Sequence, residues 1–267
     1  MSGTKKSIGA ITVVIAAFGG VVMLGSAASA AVTGLQQIGP QSGQLKADAR
    51  GVTAVDLEVG GADMRVMFDD VDEAELRIDG ASTSGWTLRA DGGQLEVRGP
   101  DRGFDWWSPD WLRGDERATL VLPLELEGLD ARLTLHAGSL DVVGEFDELG
   151  VDVNAGALSL NGDARDLDLD VNAGRADIEL AGVEQSQFSI SAGRVVSTLT
   201  TVPDSVAFTV SAGSLDLTLP DREYDLRRDV SAGSLDSSLD QSSSSSHRIT
   251  GNVSAGSATL RPGGAGE

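Results

Sequence analysis

Apolar and polar residues alternate along most of the chain after about residue 50, a pattern typical of β-strands with one buried face. The stretch VNAGRADIEL, residues 171–180, is an example, with apolar and acidic residues alternating on both sides of a small Ala-Gly pair. Similar phrases occur seven times. Their glycines are Gly138, Gly156, Gly174, Gly193, Gly213, Gly233 and Gly256, at spacings of 18, 18, 19, 20, 20 and 23 residues. This near-constant spacing predicts a repeat architecture.

The alternation shifts by one residue at each glycine. Val151 and Val153 share one face, and Leu158 and Leu160 continue that face only after the shift. A slip of one residue would normally turn the side chains to the opposite face. A bend at the Ala-Gly pair absorbs the slip if glycine adopts a conformation that other residues resist and alanine fills the inside of the corner. Each repeat is therefore predicted to contain two short strands joined at a corner.

One such repeat cannot bury its apolar face alone, so each repeat is expected to stack on the next one in the chain, with each strand paired to its equivalent there. The sequence predicts an all-β, single-domain β-solenoid with two-strand coils of about 18–20 residues, in which the seven glycines are structural corner residues. A sandwich of hairpins is the competing architecture, because alternation does not fix which strands are neighbours. The predicted domain covers residues 51–262, with irregular or capping coils at 51–126, regular repeats at 127–262 and a tail at 263–267.

The first 31 residues have the three zones of an export signal: Lys5 and Lys6, an apolar run over residues 8–24, and small residues up to Ala30. Cleavage after Ala30 would make this segment a signal peptide, whereas retention would make it a hydrophobic helix anchored in the membrane. Both alternatives predict that the rest of the chain is exported, to the outer face of the cytoplasmic membrane, to the cell surface or as a secreted protein. Residues 32–50 are predicted to be a linker.

Charge and composition exclude several classes of function. Asp and Glu outnumber Lys and Arg by 41 to 20, and the formal charge of -21 disfavours binding to nucleic acid. The chain has no cysteine, so it has neither disulfides nor thiolate chemistry. Motifs of metalloproteases, phosphate-binding loops and serine hydrolases are missing, so we predict no catalytic residues, metal or cofactor.

An aromatic cluster is the main candidate contact site. It lies within GPDRGFDWWSPDWLRGDE, residues 99–116, and consists of Phe104, Trp106, Trp107 and Trp111. Such side chains can stack on sugar rings, insert at a membrane interface or anchor a protein partner. The alternative is a plug that folds back over exposed core at an end or side of the solenoid.

Acidic residues recur after the corners, at Asp141, Asp177, Asp216 and Asp236. Stacked carboxylates can bind calcium. The nine-residue pattern of calcium-binding repeats is missing, however, so solvated surface charge is the favoured interpretation.

The phrases AGSLDV, AGRADIEL and AGSLDLTL, which follow a strand containing LPLEL, resemble the bacterial putative adhesin-like β-strand repeat family, a domain of unknown function. The resemblance covers residues 50–262 and implies an exported or membrane-tethered β-solenoid without catalytic residues. We therefore expect a non-enzymatic cell-envelope adhesion or scaffold module whose partner is a cell-wall glycan or an envelope protein. The alternatives are a membrane-tethered sensor or accessory protein of envelope stress and a carbohydrate-active enzyme on a β-helix.

Overall fold

The computed structural model describes residues 42–79, 85–100 and 117–263, and within these ranges the protein is all-β. The strands are β1 (Ser42–Ala47), β2 (Ala54–Val59), β3 (Ala62–Asp69), β4 (Ala74–Asp79), β5 (Thr87–Asp91), β6 (Gln94–Arg98), β7 (Arg117–Pro123), β8 (Leu129–Leu135), β9 (Gly138–Val153), β10 (Ala157–Val171), β11 (Arg175–Ala181), β12 (Gln185–Ile190), β13 (Arg194–Leu199), β14 (Ser205–Val210), β15 (Ser214–Pro220), β16 (Asp225–Val230), β17 (Ser234–Ser237), β18 (Arg248–Val253) and β19 (Ser257–Gly263). A short 3-10 helix, Leu124–Leu126, follows β7. The predicted N-terminal helix lies outside the described residues, and no helix within them is long and apolar enough to cross a membrane.

Two strands separated by a glycine corner form a layer, and neighbouring layers pair in parallel. The layer of β12 and β13 pairs with that of β14 and β15, which places Phe188 beside Phe208 and Ser197 beside Leu217. Each of the long strands β9 and β10 forms the second strand of one layer and continues without a break into the first strand of the next layer. The predicted pairing of equivalent strands is thus present along β8 to β15.

The inside of each corner is occupied by glycine rather than by alanine. Ala137 is half-buried, and the alanines of the other corner pairs, among them Ala155, Ala173 and Ala212, are exposed. A Cβ atom on Gly156 would lie only 2.3 Å from the carbonyl oxygen of Gly138 in the layer beside it. The prediction that alanine fills the inside of the corner is therefore wrong, because the stacked glycine backbones already fill that space.

The last two layers stack in the reverse of their order in the chain. β14 pairs with β18 and β18 pairs with β16, while β15 pairs with β19 and β19 pairs with β17. The layer of β18 and β19 therefore lies between two layers that precede it in the sequence. This finding corrects the expectation that every repeat stacks on its neighbour in the chain.

The opposite end contains both parallel and antiparallel strands. β2 and β3 pair in parallel with β8 and β9 on one side and with β6 and β7 on the other. β4 and β5 then pair antiparallel with β7 and β6, and β1 pairs antiparallel with β4. The irregular layers predicted before residue 126 thus extend the same parallel stack and end in antiparallel strands.

Residues 42–47 of the segment predicted as a linker form β1 instead. The buried carboxylate of Glu75 on β4 accepts hydrogen bonds from Gln44 (2.8 Å), Lys46 (2.5 Å) and Arg77 (2.7 Å). Burial alone would raise the pKa of Glu75, but these bonds from Lys46 and Arg77 lower it. A polar stretch without strong strand propensity is thus held in the sheet by charge-assisted bonds and by the packing of Leu45 on the core.

Candidate functional site

The aromatic side chains Phe104, Trp106, Trp107 and Trp111 lie outside the described residues, which end at Pro100 and resume at Arg117. The structure does describe the place where this segment leaves the sheet and returns to it. The end of β6, the start of β7 and the layers beside them form the base of the candidate site.

The aromatic segment replaces a corner. In the layer of β8 and β9, only His136 and Ala137 lie between the two strands. Gly99 donates its N–H to the carbonyl of Glu58 (2.8 Å), and Arg117 pairs with Asp63 where β7 joins the ladder. Gly99 and Arg117 thus take positions that flank a corner in the neighbouring layers, and residues 100–116 are the chain between them. We call residues 100–116 the aromatic insertion.

Rigid strands hold both ends of the aromatic insertion. β6 pairs with β2 and β5, while β7 pairs with β3 and β4. Binding segments in proteins are commonly loops positioned by such a scaffold. The strands on both sides of the insertion are therefore fixed in the sheet.

Trp86, the one tryptophan of the chain outside the aromatic insertion, packs beneath the base of the insertion. Only 4% of its surface is exposed. Its ring lies so close to Gly99 that a Cβ there would be 3.2 Å from a ring carbon, and a Cβ on Gly85 would be 2.9 Å from the Cβ of Pro100. Sequence reasoning did not single out Trp86, although the flanking glycines were a signal of close packing.

A charged cluster adjoins the base. Arg98 binds Glu58 and Glu96, and Glu58 also contacts the Nε2 atom of His136 at 2.9 Å. The hydrogen bond from His136 and the charge of Arg98 lower the pKa of Glu58, although partial burial opposes them. The cluster therefore keeps a carboxylate ionised beside the start of the insertion.

Polar side chains continue from this cluster along the corners. The Nδ1 atom of His136 lies 3.3 Å from Nδ2 of Asn154, and Asn172 donates to Oδ1 of Asn154 at 3.1 Å. The order Glu58, His136, Asn154, Asn172 follows successive layers. This row offers hydrogen-bonding groups of the kind that bind polar ligands. Sequence reasoning did not identify it, although His136, Asn154 and Asn172 each stand directly before the Ala-Gly pair of successive repeats.

The acidic residues after the corners alternate with uncharged residues in the stack. Ser159 separates Asp141 from Asp177, and Val196 separates Asp177 from Asp216. Three of the four carboxylates pair with arginine, as in the contacts Asp141–Arg65 (2.9 Å), Asp177–Arg175 (2.6 Å) and Asp216–Arg194 (3.1 Å). Within residues 42–79, 85–100 and 117–263 there is no group of three or more acidic or imidazole side chains arranged to hold a metal ion.

A second acidic cluster lies on the outer face of β9 and β10. Burial and the neighbouring carboxylates Asp170 and Asp152 raise the pKa of Asp168, and burial and Asp152 raise that of Asp170. Asp152 and Asp170 are register partners in adjacent layers. Sequence reasoning missed this cluster, because its members belong to two different repeats.

No protein-family model and no curated protein matches the chain. Among solved structures, the chain is similar to one described as a putative adhesin from Bacteroides fragilis, with 14% identity, a TM-score of 0.46, and coverage of 84% of this chain and 98% of that one. A putative cell adhesion protein from Clostridium sporogenes (12% identity, TM-score 0.39, coverage 84% and 100%) and a putative lipid binding protein from Parabacteroides distasonis (13% identity, TM-score 0.33, coverage 84% and 97%) are also similar. Structures named as adhesins are thus among those to which the chain is similar.

Proposed function

We propose that the protein is a non-enzymatic, exported binding module of the cell envelope that contacts its partner through the aromatic insertion. In this proposal the parallel layers wind as a β-solenoid, and Phe104, Trp106, Trp107 and Trp111 are the contact residues. The observation that supports it most strongly is that residues 99–116 lie between β6 and β7 in the chain, whereas only two residues lie between β8 and β9.

The chemistry of the insertion favours a glycan of the cell wall as the partner. Aromatic faces stack on the apolar faces of sugar rings, and the flanking Asp and Arg side chains can bind hydroxyl groups. The row from Glu58 to Asn172 adds further hydrogen-bonding groups beside the base. The formal charge of -21 disfavours binding to anionic lipid surfaces.

Export is proposed on the sequence of residues 1–31, in which a basic start precedes an apolar run. Fractionation of cells that produce the full chain tests this part directly. Protein found only in the cytoplasm, with residues 1–31 intact, would contradict it.

Cosedimentation with isolated cell-wall glycan tests the contact site. We expect the full chain to bind, and we expect a Trp106→Ala, Trp107→Ala, Trp111→Ala variant to bind at least tenfold more weakly, since alanine removes the stacking surfaces. Lipid vesicles used in parallel distinguish glycan binding from membrane insertion.

The matched control removes three exposed apolar side chains elsewhere, at Leu124, Val143 and Val230, by changing each to alanine. This control should bind like the unaltered chain. The proposed site is wrong if both variants lose binding equally, or if the tryptophan variant keeps full affinity. Thermal unfolding of each variant shows whether the tryptophans act instead as a structural plug.

A further inference from the structure

The layer of β16 and β17 is the last in the stack, and its inward positions differ from those of the layers before it. Along the first strands, Phe188, Phe208, Gly251 and Arg228 are successive register partners. Phe188 and Phe208 are buried, and the ring of Phe208 covers Gly251. Because parallel register partners project to the same side of a sheet, Arg228 continues the column of core residues.

The second strands change in the same way. Leu217 and Leu260 are buried partners in the interior layers, and the next position in their column is Ser237. The centre of the final layer therefore has an arginine and a serine where the layers before it bury Phe208 and Leu217. Closer to the corner the layer remains apolar, with Leu235 buried and Val230 partly exposed.

The outer edge of β16 and β17 is unpaired within the part of the chain that the structure describes, except that Tyr224, just before β16, forms a bridge with Gln241. β16 pairs only with β18, and β17 pairs only with β19. Free backbone groups on such an edge attract strands of another molecule, and an inward-pointing charge is one device that prevents this. Arg228 is exposed and has no ion pair among the described residues, whereas its neighbour Arg227 faces outward and pairs with Asp225 at 2.9 Å.

We propose that Arg228 terminates the stack and prevents a second copy of this chain from joining its β16 edge to this one. A second copy is the most closely matched partner, because its own β16 and β17 present the same edge and the same apolar residues near the corner. Joining the two edges would place two Arg228 side chains in the new core without counter-charges. Burial of unpaired charges opposes that contact.

Sedimentation velocity of two single variants of the full chain tests the proposal. Arg228→Leu completes an apolar face formed with Leu226, Val230 and Leu235, and we expect a dimer at concentrations where the unaltered chain is a monomer. Arg227→Leu is the matched control, because it makes the same chemical change on the outward face of the same strand. The association constant of Arg228→Leu should exceed that of the control at least tenfold.

A spin label locates the contact. The chain has no cysteine, so Asp229→Cys gives a single labelled position at the edge of β16. In the Arg228→Leu background we expect a short distance between labels, and no such distance in the control background. The proposal is overturned if Arg228→Leu is monomeric, if both variants associate equally, or if the dimer shows no short distance between labels.

Discussion

The ring of Phe208 extends over Gly251, its register partner in the adjacent layer, so closely that a Cβ atom on Gly251 would lie 2.2 Å from ring carbon Cζ. A large residue and a small one thus occupy paired core positions in adjacent layers, and the large ring fills the space that the small residue leaves. The pair explains how the layer of β18 and β19 can lie against that of β14 and β15 rather than form the end of the stack itself.

Substitution of Gly251 by alanine should destabilise the protein by about 1–3 kcal/mol, because the added methyl overpacks the core against Phe208. Urea unfolding followed by circular dichroism measures the change. Asn252→Ala, on the exposed face of the same strand, should have a much smaller effect. In the double variant Phe208→Leu, Gly251→Ala, the two costs should not add, since the smaller side chain leaves room for the methyl. Strict additivity would contradict the proposed contact.

Alanine at the corner residue Gly156 should cost about 2 kcal/mol or more. Gly156 has a φ of +111°, and its Cβ would lie 2.3 Å from the carbonyl oxygen of Gly138, so strain and overlap act together. Gly150→Ala is the control, because the nearest atom to its Cβ, the carbonyl oxygen of Ala131, is 3.9 Å away. Equal unfolding midpoints for the two variants would refute the close stacking of the corners.

The Asp170→Asn variant should be more stable than the unaltered chain at pH 7 but not at pH 3. Burial and Asp152 raise the pKa of Asp170 in the folded state, so its contribution to stability is fully present below the unfolded pKa and is lost as the pH rises through the folded pKa. Asparagine does not ionise, so the Asp170→Asn variant does not lose this stability as the pH rises. Urea midpoints at both pH values measure the difference, and Asp163→Asn removes the same charge from an exposed position of β10. A gain at pH 3 equal to that at pH 7 would show that charge is not the cause.

Tyr224 should make folding sensitive to alkaline pH. Its buried hydroxyl donates to the carbonyl of Pro220 at 3.0 Å, and burial raises its pKa from 10.0 to about 12. Because the folded pKa is above the unfolded one, the stabilisation is complete below pH 10 and is lost as the pH rises through about 12.

Tyr224 is the only tyrosine of the chain, so the ultraviolet absorbance of tyrosinate reports on it alone. The absorbance should rise near pH 12 and coincide with loss of β-structure. The Tyr224→Phe variant should show neither the rise in absorbance nor the loss of β-structure that accompanies it near pH 12. It should also be less stable, because it lacks the hydrogen bond to Pro220. Ionisation near pH 10 in the folded chain would show that the side chain is accessible to solvent.

The sequence predicted the β class, the repeat spacing and the buried face of each strand. Val151, Val153, Leu158 and Leu160 are all buried, as the shifted alternation requires. These features depend on local periodicity, which a single repeat already contains. The resemblance to adhesin-like repeats likewise depends on local phrases.

The candidate site could be predicted only in part. The composition of residues 99–116 identified the aromatic cluster, whereas the replacement of a corner, the support from Trp86 and the row from Glu58 to Asn172 became visible through the register of distant strands. The prediction of a linker was also wrong at residues 42–47. The hydrogen bond from Lys46 to Glu75 connects strands that are far apart in the chain, so no local pattern indicates it.

The sequence by itself determined that each repeat would form strands with one apolar face and a glycine corner, because alternation and backbone freedom are local properties. Only the tertiary structure decided the order of the final layers. Gly251 accepts the ring of Phe208 and is buried between two layers, whereas Arg228 and Ser237 are accommodated at an end that faces solvent. Burial of charge and packing of facing side chains depend on neighbours that chain order does not specify.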